Sequence, residues 1–178
     1  MAKNSKKQIM LDEVRILDQL SKNANKSINE IAKSCGFSRQ KVWRIIKNLE
    51  KNNTIWGYTS VIDEEKQNKK SYIVLLKRTA HPLTKELIEK IYTRDLIKKS
   101  IKNGVKIDSS IFTNGAYDWV IYFTANNIRD AKQFIEGLNR TCEGFIEETK
   151  LLENMFVIEH CGITNPEIKK IKDFYSEL

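Results

Sequence analysis

The chain is poor in the residues that make metal, disulfide and catalytic centres. It has three cysteines, Cys35, Cys142 and Cys161, an odd number with no CxxC spacing. They read as buried thiols in a reducing cytosol, and not as disulfides or zinc ligands. The only two histidines, His81 and His160, lie far apart with no cysteine or carboxylate cluster at ligand spacing. Each is expected to be a surface or strand-end residue, and no metal site is expected. There is no Gly-rich phosphate loop, no HExxH and no GxSxG, so no catalytic residues and no cofactor are expected. No stretch approaches the roughly 18 consecutive apolar residues of a membrane span. The basic start MAKNSKKQIM is followed by no apolar signal core, which points to a cytoplasmic protein with no membrane partner.

What is present is a 40% apolar chain of 178 residues, enough for a packed core in one large or two small domains. The net charge is +8, and it is unevenly placed. Residues 1–60 hold 12 Lys/Arg against 5 Asp/Glu, whereas residues 61–178 hold 19 against 18. A local excess of this kind suits a polyanion such as double-stranded DNA.

That basic third reads as three helices and a strand. Leu11, Val14, Leu17 and Leu20 recur at helical spacing and predict a helix over about 11–22. Ser27 and Glu30 have capping-box spacing at the start of a short helix, with Ile28, Ile31 and Ala32 on its apolar side. Gly36 suits the left-handed corner that ends it, Phe37 can plug the corner, and Ser38 is a good N-cap for the next helix. On that third helix, over about 38–52, Val42, Ile45, Ile46 and Leu49 share one side. Arg39, Gln40, Trp43, Arg44 and Lys47 fall on a separate arc. The pattern is a helix-turn-helix whose recognition helix offers Ser38, Arg39, Gln40, Lys41, Trp43, Arg44 and Lys47 to DNA. Arg39 and Gln40 can read guanine and adenine bidentately or bind backbone alone. Lys41 and Lys47, at the edges of the arc, are candidates for phosphate. Trp43 can pack on DNA or on a neighbouring element.

The remainder predicts a hinge and a second domain. DEEKQNKK, 63–70, is polar without apolar periodicity. SYIVLLKRT, 71–79, reads as a buried strand, and Leu87, Ile88, Ile91, Ile97 and Ile101 suggest a helix over about 84–103, interrupted near Thr93-Arg94-Asp95. VKIDSSIFT, 105–113, and YDWVIYFTA, 117–125, flank Asn114-Gly115 as a hairpin whose glycine is expected at positive φ. A second helix carries Ala131, Phe134, Ile135, Leu138 and Cys142, and a long strand-like stretch runs from Phe145 to His160. The β-α-β-β-α-β order is the ferredoxin-like plan. The domains are expected at 1–62, 63–70 as linker, 71–162, and a C-terminal helix over 163–178 with Ile168, Ile171 and Tyr175 on one side.

"LDEVRILDQL", "INEIAKSCGFSRQKVWRIIKNLE" and "IWGYTSVID" resemble the DNA-binding half of the Lrp/AsnC (feast/famine) transcription regulators. Leu11-Asp12, Ile16-Leu17, Ala32, Gly36, Ser38, Leu49, Ile55, Gly57, Tyr58 and Thr59 follow the family's order and spacing, although of its usual arginine pair only Arg44 remains, Ile45 taking the second place. The resemblance covers about residues 10–160. It implies an α+β protein with an N-terminal (winged) helix-turn-helix followed by a ferredoxin-like βαββαβ domain that senses a small molecule and oligomerizes. The family's G-x-Y-D hairpin is matched by Gly115, Tyr117 and Asp118, which implies an effector site at Gly115, Ala116, Tyr117 and Asp118. The same residues are also good turn chemistry. Implied partners are DNA, a small-molecule effector such as an amino acid, and a second copy, as a homodimer or a higher assembly of dimers. Two other readings remain open. Siroheme decarboxylases look like the same two modules used for tetrapyrrole chemistry, and a sensor-domain protein can act through protein partners alone.

Overall fold

A computed structural model describes residues 6–95, 98 and 104–176, with the backbone alone at 174. The chain divides into two compact units. One takes the residues up to Val61 together with those from Val157, and the other spans Ile62–Phe156.

The first unit begins with helices α1 (Lys6–Lys22), α2 (Ile28–Cys35) and α3 (Arg39–Lys51). Its helix ends are written locally. The Ser27 hydroxyl accepts from the Glu30 amide while the Glu30 carboxylate accepts from the Ser27 amide at 2.7 Å, a complete capping box. Gly36 closes α2 at φ +67°, and the Ser38 side chain caps α3 by accepting from the Lys41 amide at 3.3 Å. Ile16, Ile31, Ala32, Val42, Ile45, Ile46 and Leu49 form the core between the three helices.

The phase of α1 differs from the expectation. Leu11 and Val14 are exposed, and the buried line runs through Asp12 and Ile16, with Leu17 and Leu20 packed against the core. Apolar residues also stand at 9, 10, 11 and 14 on the outer side, so periodicity placed Leu17 and Leu20 correctly but turned Leu11 and Val14 inward when they face out. The expected strand over IWGYTSVID is also absent, because residues 54–63 pair with no strand of the described chain. Instead Ile55 folds back, its amide donating to the Leu49 carbonyl, and Trp56 stands 95% exposed.

In the second unit a 3-10 turn (Glu64–Gln67), capped by Asp63, leads into β1 (Lys70–Arg78). Then come α4 (Lys85–Tyr92), β2 (Lys106–Phe112), β3 (Trp119–Ala125), α5 (Ile128–Thr141) and β4 (Ile146–Glu153). The sheet order is β2-β3-β1-β4 with every neighbouring pair antiparallel. This is the ferredoxin-like arrangement. Tyr72, Val74 and Leu76 of β1 and Trp119, Ile121 and Phe123 of β3 alternate onto the face that α4 and α5 cover, burying Leu87, Ala131, Phe134 and Leu138.

Helix α4 ends at Tyr92, and Arg94 takes φ +58°, at the predicted interruption. Ile97 and Ile101 of the expected continuation lie outside the described residues. The strand-like stretch 145–160 is shorter than expected, because β4 stops at Glu153. Glu159–His160 instead forms β5, a two-residue hairpin with β6 (Ile163–Thr164) across Cys161-Gly162. The tail helix consequently starts late, as a 3-10 turn at Ile168–Lys170 running into α6 (Ile171–Ser176). Of the three thiols only Cys142 is buried; Cys35 is half-buried and Cys161 exposed. Among the described residues no helix is long and apolar enough to cross a membrane.

Candidate nucleic-acid interface

The packing of α3 decides which of its side chains can meet a ligand. Val42, Ile45, Ile46 and Leu49 are inside, which turns Arg39, Gln40, Trp43, Arg44, Lys47 and the Ser38 cap outward. Arg39, Gln40 and Arg44 make no hydrogen bond or ion pair with any described residue, so two guanidinium forks and an amide stand open on one arc. Trp43 is 54% exposed.

The two lysines at the edges of the arc are held differently. Lys47 Nζ lies 2.7 Å from Glu50 Oε2, an exposed pair one helical turn apart. Glu50 Oε1 accepts from the Tyr58 hydroxyl at 3.0 Å, which ties the chain after α3 back to the helix. These bonds, first from Lys47 and then from Tyr58, hold the Glu50 carboxyl below its ordinary range, while burial and then the same carboxylate push the Tyr58 phenol up. An exposed pair of this kind is weak and screened by solvent, so a phosphate can draw Lys47 away.

Lys41 is anchored. Its ammonium lies 2.6 Å from Asp12 Oδ2 and 3.9 Å from the centre of the Phe37 ring. The Asp12 side chain is 3% exposed, and its other oxygen accepts from Gln8 Nε2 at 3.0 Å. The Lys41 hydrogen bond, against the opposing effect of burial, lowers the Asp12 pKa. Removing one partner of a buried pair costs about 3–5 kcal/mol, because the other charge is left unpaired. Asp12 was missed in the sequence. The signal was a carboxylate one turn before Ile16 in a buried stripe, a place where an acid is found only with a partner.

In the second unit, β2 and β3 are joined by Thr113–Asp118. The Thr113 amide donates to the Asp118 carbonyl at 2.8 Å, and the Thr113 hydroxyl donates to the Tyr117 carbonyl. The hairpin is present, but its connection is a six-residue loop, and Gly115 does not take the positive φ expected of it. A Cβ added at Gly115 would meet nothing within 4 Å. Gly115 and Ala116 are exposed; Tyr117 and Asp118 are half-buried. Asp118 Oδ2 accepts from the Arg78 amide at 2.8 Å, and the Lys150 ammonium stands 5.5 Å from the centre of the Tyr117 ring. One carboxylate oxygen of Asp118 therefore fixes the end of β1, and the other has no hydrogen bond among the described residues. His81 and His160 are both exposed, and among the described residues no three His, Cys, Asp or Glu are grouped to hold a metal.

Residues 13–55 match a winged helix-turn-helix DNA-binding family. An uncharacterized HTH-type transcriptional regulator of Bacillus subtilis, YugG, is 25% identical over 137 residues, 77% of this chain and 80% of that protein. The fold is shared with an AsnC family transcriptional regulator from Agrobacterium tumefaciens (TM-score 0.61, 18% identity, 84% of this chain and 92% of that one). It is also shared with a feast or famine regulatory protein of Mycobacterium tuberculosis complexed with L-methionine (TM-score 0.65, 13% identity, 84% and 93%). The match thus covers the helix-turn-helix of the first unit, and the two-unit fold is one that solved AsnC, Lrp and feast or famine regulators share.

Proposed function

We propose that the chain is a DNA-binding transcription regulator of the Lrp/AsnC type, acting as a homodimer, or an assembly of dimers, that places α3 in the DNA major groove and changes its activity on binding an amino acid or related metabolite. The observation that carries the DNA reading is the arc of α3. Arg39, Gln40 and Arg44 point outward without partners among the described residues at the N-terminal end of a capped helix, where base edges and phosphates are contacted. Lys47 supplies a phosphate contact once drawn from Glu50, and Trp43 stacks at the margin.

Dimerization is supported by the sheet face opposite α4 and α5. Ile73, Leu75 and Val120 are half-buried there, while Ile111, Tyr122 and Leu152 are exposed, a continuous apolar surface across four strands. Two copies also read two half-sites, which a single small helix-turn-helix cannot. Effector sensing rests on the loop Gly115-Ala116-Tyr117-Asp118, which has a free carboxylate oxygen for an ammonium and an aromatic wall. The L-methionine bound by the mycobacterial protein supports an amino acid as the ligand class.

The test is selection of bound duplexes from random DNA by the full chain, repeated with a pool of amino acids. Enrichment of a two-half-site sequence, changed by one amino acid, is expected. No enrichment over random DNA would overturn the reading.

A further inference from the structure

Lys41 lies on the DNA-facing helix yet is directed into the protein. Its ammonium is sandwiched between the Asp12 carboxylate and the Phe37 ring, and 28% of its side chain remains exposed. Asp12 sits in the α1 line that packs on α3, one turn before the fully buried Ile16. Its remaining oxygen is taken by Gln8. Lys47 offers the contrast within one helix. Its partner Glu50 has a 31% exposed side chain, so water can replace Lys47 when a phosphate takes it. If a phosphate took Lys41, Asp12 would be left charged and almost wholly buried, with Gln8 as its remaining hydrogen-bond donor among the described residues.

We propose that Asp12 is a positioning residue for DNA recognition: it pins α3 to α1 through Lys41 and withholds that cation from DNA phosphates. This rests on the DNA-binding reading above. The phosphate-dependent share of binding then falls to Arg39, Arg44 and Lys47. An acid inside the DNA-binding unit thereby trades affinity for any duplex against discrimination for the right one, because phosphate contacts carry no sequence information.

The experiment measures equilibrium binding of the full chain to a selected duplex and to a scrambled one between 50 and 200 mM salt. The slope of log K against log salt reports the number of phosphates neutralized, about 0.9 per contact. Arg44→Ala flattens the parent's slope by about that amount. Asp12→Asn, which keeps the shape and removes the charge, is expected to steepen it by about 0.9 on both duplexes. That is an extra affinity loss of about 3.5-fold over this salt range, with a smaller ratio of selected to scrambled binding. Asp12→Asn/Lys41→Met is expected to return the parent's slope. The double variant carries no stranded charge, so it keeps the question open to measurement if Asp12→Asn alone folds poorly. An unchanged slope in Asp12→Asn overturns the proposal. So does a double variant whose slope is as flat as that of Arg44→Ala, since Lys41 would then already contact a phosphate in the parent. Absence of salt-dependent binding by the parent to any duplex would be a different failure, that of the DNA-binding reading itself.

Discussion

Replacing Asp118 with alanine separates a sensing carboxylate from a structural one. Three bonds meet at this residue: its amide donates to the Leu76 carbonyl at 2.9 Å, its carbonyl accepts from Thr113, and its carboxylate accepts from the Arg78 amide. Alanine keeps the first two and removes the third. The Arg78 amide lies just beyond the last pair of β1 with β3, Leu76 with Trp119, so the Asp118 side chain extends that ladder by one bond where the backbone pairing stops. A hydrogen bond to a charged group contributes about 1.5–3 kcal/mol, and half-burial places this one toward the lower end. For a chain of this size about 2–4 °C accompanies each kcal/mol, so a loss of about 1.5–2 kcal/mol should make Asp118→Ala melt about 3–8 °C below the parent by calorimetry. Asp118→Asn keeps an acceptor for the Arg78 amide and should lose roughly half as much. Titration of both variants with the effector found by selection then isolates the second role. If the free oxygen meets an ammonium, Asp118→Asn loses effector affinity while keeping most of its stability. A melting point for Asp118→Ala within about a degree of the parent's would refute the anchoring argument.

Arg39→Ala/Arg44→Ala should weaken binding to a selected duplex by about 1–3 kcal/mol per lost base contact and flatten the salt slope by about 1.8, read by fluorescence anisotropy. If the sheet face forms the proposed dimer, Leu75→Lys, which puts a charge in it, should be monomeric in light scattering at concentrations where the parent is dimeric, with unchanged circular dichroism. Gly36→Ala should cost about 1–2 kcal/mol in urea unfolding, because φ +67° strains any side-chain-bearing residue although nothing lies within 4 Å of the added Cβ. The Asp12–Lys41 pair should give the first unit an acid-sensitive edge. The folded-state pKa of Asp12 is lowered, so its contribution is complete above the ordinary aspartate range and disappears as pH falls through the lowered value. Asp12→Asn/Lys41→Met should show no such loss in acid titration followed by circular dichroism.

The parts legible in the sequence are those fixed within four residues of chain. Ser27 with Glu30, Gly36 and Ser38 each act on neighbouring amides, so α2, its corner and the start of α3 could be placed from residue types alone. The outward direction of Arg39, Gln40 and Arg44 followed from helical phase once Val42, Ile45 and Leu49 named the inner side. The β-α-β-β-α-β order was legible too, but some readings that depended on one particular distant partner went astray. Ile55 to Val61 is strand-like in composition, but a strand exists only through its neighbour, and no described segment pairs with it. Asn114-Gly115 has the chemistry of a two-residue turn, yet the bond between Thr113 and Asp118 sets the loop width and leaves Gly115 at an ordinary φ. The charge count is the deepest case. Residues 1–60 carry 12 cations against 5 acids, a sum that attracts DNA whatever the arrangement. Which cations are available depends on where those few acids lie in space. Asp18 meets Lys22 and Glu50 meets Lys47 on exposed surface, where a phosphate can compete, whereas Asp12 meets Lys41 in a nearly closed site. Two lysines six positions apart on one helix therefore differ in how freely they can meet a ligand because of a residue some thirty positions away, which no local pattern in that helix could disclose.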